Sequence, residues 1–269
     1  MKINRLNEYK RLLMDKRYIE AYKHIPPELI KTTTLLGNYF SDSYNGRKSL
    51  IFKFIFGSLD MERAFKGIDV SLFGPGYSKK DVASDKGKIK VWLNGAFPLR
   101  PTSKDVLALS LDRFNEDRGK YIDIILKGAR ILIRESAWLS LPYWLRIKRK
   151  NNIHVLHNHP IYNGYLNLGT LVLLNILYYQ GHMGVLNIHG MNFWLTHAYD
   201  PCYTLRQDDA DRITNFVFKK HDPIANFMVL YAAASSKEVY LSGAMISDVL
   251  TLKDPIEGYL KLLEDKYSC

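Results

Sequence analysis

Cysteine is nearly missing from this chain: Cys202 and Cys269 are its only two, far apart, the second at the last position. That excludes a disulfide framework and gives no metal-ligand spacing, and a reducing cytoplasm is the simplest compartment for such a chain. No apolar run approaches the roughly 18 residues that a membrane-spanning helix requires. The opening residues Met1-Lys2-Ile3-Asn4-Arg5 lack the apolar core of a secretory signal. Acidic residues are also in short supply. Twenty-seven Asp and Glu face 38 Lys and Arg, leaving a net charge of +11. Two familiar phosphate signatures do not occur, the Gly-x-Gly-x-x-Gly of dinucleotide folds and the Gly-Lys-Ser/Thr of phosphate loops, which argues against a standard NAD enzyme or P-loop ATPase.

What remains is an ordinary globular composition, 47% hydrophobic and 24% charged over 269 residues, enough for one sizeable core. The positive balance calls for an anionic partner: nucleic acid, an anionic membrane surface, or a phosphate-bearing or acidic-sugar substrate. Residues 2–23 hold seven Lys/Arg against three acids, and Arg146-Ile147-Lys148-Arg149-Lys150 follows Trp138, Tyr143 and Trp144. A solvated face explains such runs equally well, although aromatics beside cations also suit a membrane interface. Nucleic acid is not expected, because there is no recognised motif and no aromatic–basic interleaving on one strand.

Residues 5–24 read as a helix with Leu6, Tyr9 and Leu13 near one face, stopped by Pro26-Pro27. Residues 1–66 form an N-terminal helical extension and 67–269 the main domain. From residue 68 the pattern becomes short β-rich runs with helix-length spacers. Strands are expected at 68–73, 89–93, 106–111, 129–133, 153–156, 184–188 and 238–241, and the clearest helices at 170–180 and 223–234. This alternation indicates a single α/β, Rossmann-like domain with a mostly parallel seven-stranded sheet.

The residues just past the strands carry the chemistry. The first strand ends in Gly74-Pro75-Gly76, the second in Asn94-Gly95 and the third in Asp112. The fifth ends in His157-Asn158-His159, the sixth in His189-Gly190-Met191-Asn192, and the last in Ser242-Gly243. In an open parallel sheet these positions share one edge, where ligands bind. Gly74-Pro75-Gly76 is a turn in which backbone can approach a ligand; a plain turn explains it equally well. Asn94 could read a base or ribose and Asp112 hold a hydroxyl, and turn capping is the competing explanation for both. The histidines His154, His157, His159, His182, His189 and His197 lack helical i, i+4 spacing and a cysteine partner, so no metal is expected. In His221-Asp222-Pro223, proline suits the first helical position and Asp222 the N-cap. His221 then lies beside the positive end of a helix, which disfavours imidazolium and keeps a general base neutral.

In order and spacing these pieces, from about Ile68 to Leu241, resemble the bacterial sialyltransferases of glycosyltransferase family 42 and the related Kdo-transferase-like enzymes. Asp69-Val70-Ser71-Leu72-Phe73-Gly74-Pro75-Gly76 is similar to the family's first strand and Gly-Pro nucleotide loop, and Val91-Trp92-Leu93-Asn94 to its second strand. Ser110-Leu111-Asp112-Arg113-Phe114 is similar to the Asp-x-Arg-Phe of the Kdo-type relatives. Leu168-Gly169-Thr170, followed by a helix and by the run from Gly184 to Trp194, is similar to a Ser-Gly helix and a strand ending in Gly-x-Asp-Phe-Tyr. Asn192 stands here for that Asp and Trp194 for the phosphate-binding Tyr, with Tyr199 or Tyr203 as substitutes.

The resemblance implies a GT-A-like sialyltransferase fold and an inverting transferase that takes a CMP-activated acidic sugar, sialic acid or Kdo-like. It implies a glycan or glycolipid acceptor, as in lipopolysaccharide or capsule synthesis, with no cofactor and no metal. His221 would be the general base. Gly74, Pro75, Gly76, Asn94, Asp112, Gly169, Thr170, Asn192, Trp194 and Tyr199 would surround the donor. Cytoplasmic placement, peripheral on the inner membrane face, follows from the same picture. Two other classes compete. A pyrophosphokinase-like enzyme would need acidic metal ligands, for which only Asp112 and Asp200 are at hand, and a non-catalytic basic binding protein would need a nucleic-acid motif. The sequence leaves open whether residues 1–66 pair subunits, touch membrane or cover the site.

Overall fold

The computed structural model describes residues 2–25, 65–94, 101–149, 152–156, 166–180, 184–195, 218–236, 239–242 and 244–267. Seven strands make one sheet: β1 (Val70–Phe73), β2 (Ile89–Leu93), β3 (Asp105–Leu109), β4 (Arg130–Arg134), β5 (Ile153–Leu156), β6 (Leu186–His189) and β7 (Val239–Ser242). Every adjacent pair is parallel, so the sheet is parallel throughout and not only mostly so. All seven strands expected from the sequence are present, β2 and β5 with the expected bounds and the rest within two residues of them. The order β5-β4-β3-β2-β1-β6-β7 makes the architecture Rossmann-like. The chain steps outward from β1 to β5, then crosses back to lay β6 on the other side of β1. The topological switch point therefore lies between β1 and β6, where connections leave in opposite directions.

Twelve helical segments accompany the sheet among the described residues: α1 (Lys2–Met14), α2 (Tyr18–Lys23), α3 (Lys79–Ser84), α4 (Leu111–Glu116), α5 (Arg118–Leu126), α6 (Glu135–Leu139), α7 (Tyr143–Lys148), α8 (Leu168–Gln180), α9 (Phe218–Lys220), α10 (Pro223–Ser236), α11 (Ala244–Thr251) and α12 (Pro255–Tyr267). Side chains alternate across the strands, and each face has its own helices. Val70, Leu72, Val91, Leu93, Val106, Ala108, Leu132, Leu186 and Ile188 pack with α8, α10 and α12 in the main core. Leu107, Leu109, Ile131, Ile133, Ile153 and Val155 face α4 to α7, from which Phe114, Tyr121, Ile125, Trp138 and Leu145 fill a second core. α8 is apolar around its circumference, as a helix buried on all sides must be.

Two local results differ from the sequence reading. The single helix expected at 5–24 is two, because Lys16 adopts φ 60° and Arg17 N–H turns back to Leu12 O at 2.9 Å. Tyr9 and Leu13, expected on one face, are buried with Leu12, Tyr18 and Ala21 in the main core, and Ile19 N–H donates to Glu264 Oε1 of α12 at 2.9 Å. Asp112 does not end the third strand. Ser110 accepts a hydrogen bond from Arg113 N–H and starts α4, which puts Asp112 in the exposed first turn of that helix. No helix among the described residues is long and apolar enough to cross a membrane.

Candidate functional site

The carboxyl edge of the sheet at the switch point is built by four segments: the loops after β1 and β6 and the N-termini of α8 and α10. The two loops are stitched together. Gly74 N–H donates to His189 O at 2.7 Å and Gly76 N–H to Gly190 O at 3.0 Å. Gly190 has φ +65°, and a Cβ there would fall 1.9 Å from Tyr77 N, so only glycine allows this approach. The N–H groups of Gly74 and Gly76 are thus turned toward the neighbouring loop, and Pro75 has none to offer.

Past Gly190 the chain takes two consecutive left-handed residues, Phe193 (φ 47°) and Trp194 (φ 67°), a strained choice for aromatic side chains. α12 holds them there. Tyr259 Oη donates to Phe193 O at 2.9 Å, and Tyr267 Oη and Lys266 Nζ both donate to Trp194 O, at 2.8 and 2.9 Å. Burial pushes both tyrosine hydroxyls well above their ordinary acidity range, and lowers the Lys266 ammonium. Trp194 rests edge-on against Phe218, which also meets Tyr18 and Tyr267, so its ring lies in an aromatic cluster beside α9 and α12. Asn192 opens this turn, its carbonyl accepting Leu195 N–H at 2.9 Å.

The N-termini of α8 and α10 are clasped together by one buried side chain. Asp222 caps α10, with Oδ1 accepting Ala225 N–H at 3.1 Å, and the helix begins at Pro223 as the sequence suggests. Asn167 caps α8, with Oδ1 accepting Thr170 N–H at 2.8 Å. Asn226, fully buried, donates from Nδ2 to Asp222 O at 2.6 Å and accepts Asn167 N–H on Oδ1 at 3.0 Å. Two helix dipoles therefore present their positive ends side by side. Arg134, at the end of β4, adds a full charge: its guanidinium donates to Leu166 O, just before α8. Gly169 lies where a Cβ would press Met191 Cε at 2.8 Å and Leu93 Cδ1 at 3.0 Å, which seats α8 on β2 and on the loop after β6. Beside it the fully buried Thr170 hydroxyl makes no hydrogen bond among the described residues.

His221 directly precedes the Asp222 cap and is half-buried. Asp222 itself is fully buried, and its carboxyl is pushed up to about 6 from 3.8. Desolvation is the cause, opposed by hydrogen bonds from Tyr9 and from the Ala225 and Ile224 N–H groups. The Tyr9 hydroxyl reaches Asp222 Oδ2 at 2.5 Å from α1. Asn94 follows β2 with φ 52°, and its Oδ1 accepts Ser110 N–H at 3.0 Å, bracing the start of α4.

On the opposite face His189 is absorbed into a buried polar cluster. Its ring stacks on Phe73 at 4.7 Å, Phe73 stacks on Trp92 at 4.2 Å, and Nε2 lies 3.3 Å from Asp85 Oδ1. Asp85 also accepts from the Ser71 hydroxyl and pairs with Lys90 at 3.4 Å. His154 is buried in β5. No group of three or more potential metal ligands occurs among the described residues.

The edge thus brings together Gly74, Pro75, Gly76, Gly169, Thr170, Asn192, Asp222 and His221. Asn94 lies at the same edge on β2, Asp112 faces solvent on α4, and Trp194 packs toward α12. Tyr199, Tyr203, His157, His159, His182 and His197 lie outside the described residues. Sequence reasoning missed Arg134, Asn167, Asn226 and Tyr9. Asn167-x-x-Thr170 before an apolar helix was a legible cap signal, whereas Tyr9 and Arg134 meet the site only through the fold. Comparison with protein-family models, curated proteins and solved structures finds no match to this chain.

Proposed function

We propose that this protein is an inverting, metal-independent glycosyltransferase that moves an acidic sugar, sialic acid or a Kdo-like octulosonate, from a CMP donor to a hydroxyl of a glycan or glycolipid. The observation that supports this reading most is the pairing of the α8 and α10 N-termini at the switch point, with His221 immediately before one of them. The α8 N-terminus and Arg134 make this edge favourable for an anion, the α10 N-terminus being capped by Asp222, and a CMP-linked acidic sugar carries two, a phosphate and a carboxylate.

In this reading Gly169 and Thr170 meet the donor carboxylate or phosphate, and the Thr170 hydroxyl supplies a further donor. Asn94 and the Gly74–Gly76 loop border the nucleotide. His221 accepts the proton of the acceptor hydroxyl while its oxygen bonds to the anomeric carbon. The bond from that carbon to the phosphate oxygen breaks, and CMP leaves with the electron pair. Because attack and departure occur on opposite sides, the anomeric configuration inverts. A single phosphate is a competent leaving group, so no divalent ion is called for. The resemblance to family 42 sialyltransferases and Kdo-type relatives supplies the donor class.

Transfer from CMP-sialic acid and CMP-Kdo to glycan and lipid acceptors, followed by CMP release, tests the reading. His221→Ala is expected to lower turnover by about 100- to 10,000-fold, the usual contribution of a general base, with nucleotide binding retained. Full transfer by a folded His221→Ala protein would contradict it.

A further inference from the structure

On the far side of the sheet from the α8–α10 clasp, α6 and α7 form a corner whose apolar residues point both ways. Trp138, Leu141 and Leu145 are buried and anchor it in the second core. Leu139, Tyr143, Trp144 and Ile147 face outward and are 57, 71, 51 and 55% exposed. Tyr143 and Ile147 are one helical turn apart and Trp144 lies beside them, so the three share a face of α7. These four residues and Tyr240, Met245 and Leu252 are the large apolar side chains most exposed among those described. Only at α7 do they gather on one helix.

The charge within α7 is of one sign. The Arg146 guanidinium lies over the Trp138 ring at 4.5 Å and near the Tyr143 ring at 5.5 Å. Lys148 is exposed, and Arg118 reaches in from α5 to donate to Ser140 O at 2.7 Å. No Asp or Glu occurs in the sequence between Glu135 and Asp200. A Trp, a Tyr and two aliphatic side chains, with Arg146 and Lys148 and no acid in α7, match the layers of an anionic bilayer surface. Indole and phenol sit at headgroup depth, Leu and Ile enter the acyl boundary, and Lys and Arg meet lipid phosphate. An anionic soluble protein would satisfy the cations but leave the four apolar side chains without a reason to be outward.

We infer that the α6–α7 corner is a docking face by which the protein sits on an anionic lipid surface. Contact is peripheral, since the face is one short helix and a turn, shallow enough for the interface only. The inference is independent of the sugar-transfer reading, because lipid binding needs no nucleotide and no His221.

The test uses the full-length protein with phosphatidylcholine vesicles, with and without phosphatidylglycerol, in a flotation assay. Binding is expected only with the anionic lipid, weakening as salt is raised. Tryptophan emission should shift to the blue and be quenched by acyl-chain-brominated lipid, and Trp144→Phe should remove that response. Tyr143→Ser/Trp144→Ser/Ile147→Ser, all at exposed positions, should reduce binding at least tenfold, and Lys148→Glu should weaken it without touching the apolar face. Circular dichroism and melting temperature establish that the variants fold. Absence of vesicle binding, equal binding to neutral vesicles, or unchanged binding by the folded triple variant would overturn the inference. So would a concentration-dependent dimer, seen by sedimentation, that the triple variant abolishes, since a second copy would then cover the face.

Discussion

Asp222 shows how far a single residue's behaviour depends on partners distant in the chain. Its role as the α10 cap is local and legible, since His221-Asp222-Pro223 precedes an apolar run. Its other contact, Tyr9, lies 213 positions away on α1, and Asp222 is completely buried. No sequence pattern announces either. The consequence is a titration. Desolvation raises the folded-state pKa from 3.8 to about 6, so between those values the folded protein holds a proton that the unfolded chain has released. Stability from this group is therefore present below about pH 4 and lost as pH rises through 6, by up to about 3 kcal/mol. Asp222→Asn keeps an acceptor for the cap and cannot ionise. The stability difference between wild type and this variant, from urea unfolding at intervals between pH 4 and 7.5, should shift in the variant's favour as pH rises. A difference independent of pH would mean that Asp222 is not desolvated as described.

At the scale of elements, the strands were legible and the clasp was not. Runs such as Ile89–Leu93 and Ile153–Leu156 are short, apolar and bounded by polar residues, which is how a strand buried on both faces reads. The third strand was overrun because Leu109-Ser110-Leu111 continues the apolar alternation, and only the Ser110 cap reveals that a helix has begun. The break between α1 and α2 was missed because Lys16 gives no turn signal. In the sequence Asn226 is one polar residue in an apolar helix; in the fold it joins Asp222 O to Asn167 N–H and brings two N-termini together. Asn226→Ala would leave the part-buried Asn167 N–H without its acceptor, at a cost of about 1–3 kcal/mol, while Asp222 O keeps the Asn226 backbone N–H at 3.1 Å. Chemical denaturation should show a loss of about 1–3 kcal/mol, and binding of anionic ligands at the edge should weaken beyond what lowered stability accounts for. Loss of stability under 0.5 kcal/mol would mean that the clasp contributes little.

For the molecule as a whole, the alternation of strand and helix sufficed to give a Rossmann-like sheet, and the sheet's carboxyl edge then followed as the place to look. The strand order did not follow, because nothing local says that β6 returns to the far side of β1. That return makes the switch point and sets the Gly190 loop against Gly74 and Gly76. The net charge of +11 is now partly located: Arg134 stands at the helix N-termini, while Arg146, Lys148 and Arg118 rim the α6–α7 corner. The most direct test of the proposed chemistry is a thermal-shift titration of the whole protein with CMP, CDP, UDP, GDP and ATP, each with and without magnesium. A ligand at about 100 times its Kd stabilises the folded state by about 2.7 kcal/mol, worth several degrees in melting temperature. CMP alone should produce that rise, equally in the absence of magnesium. A rise that requires magnesium and favours ATP, UDP or GDP over CMP would contradict the CMP-sugar transferase.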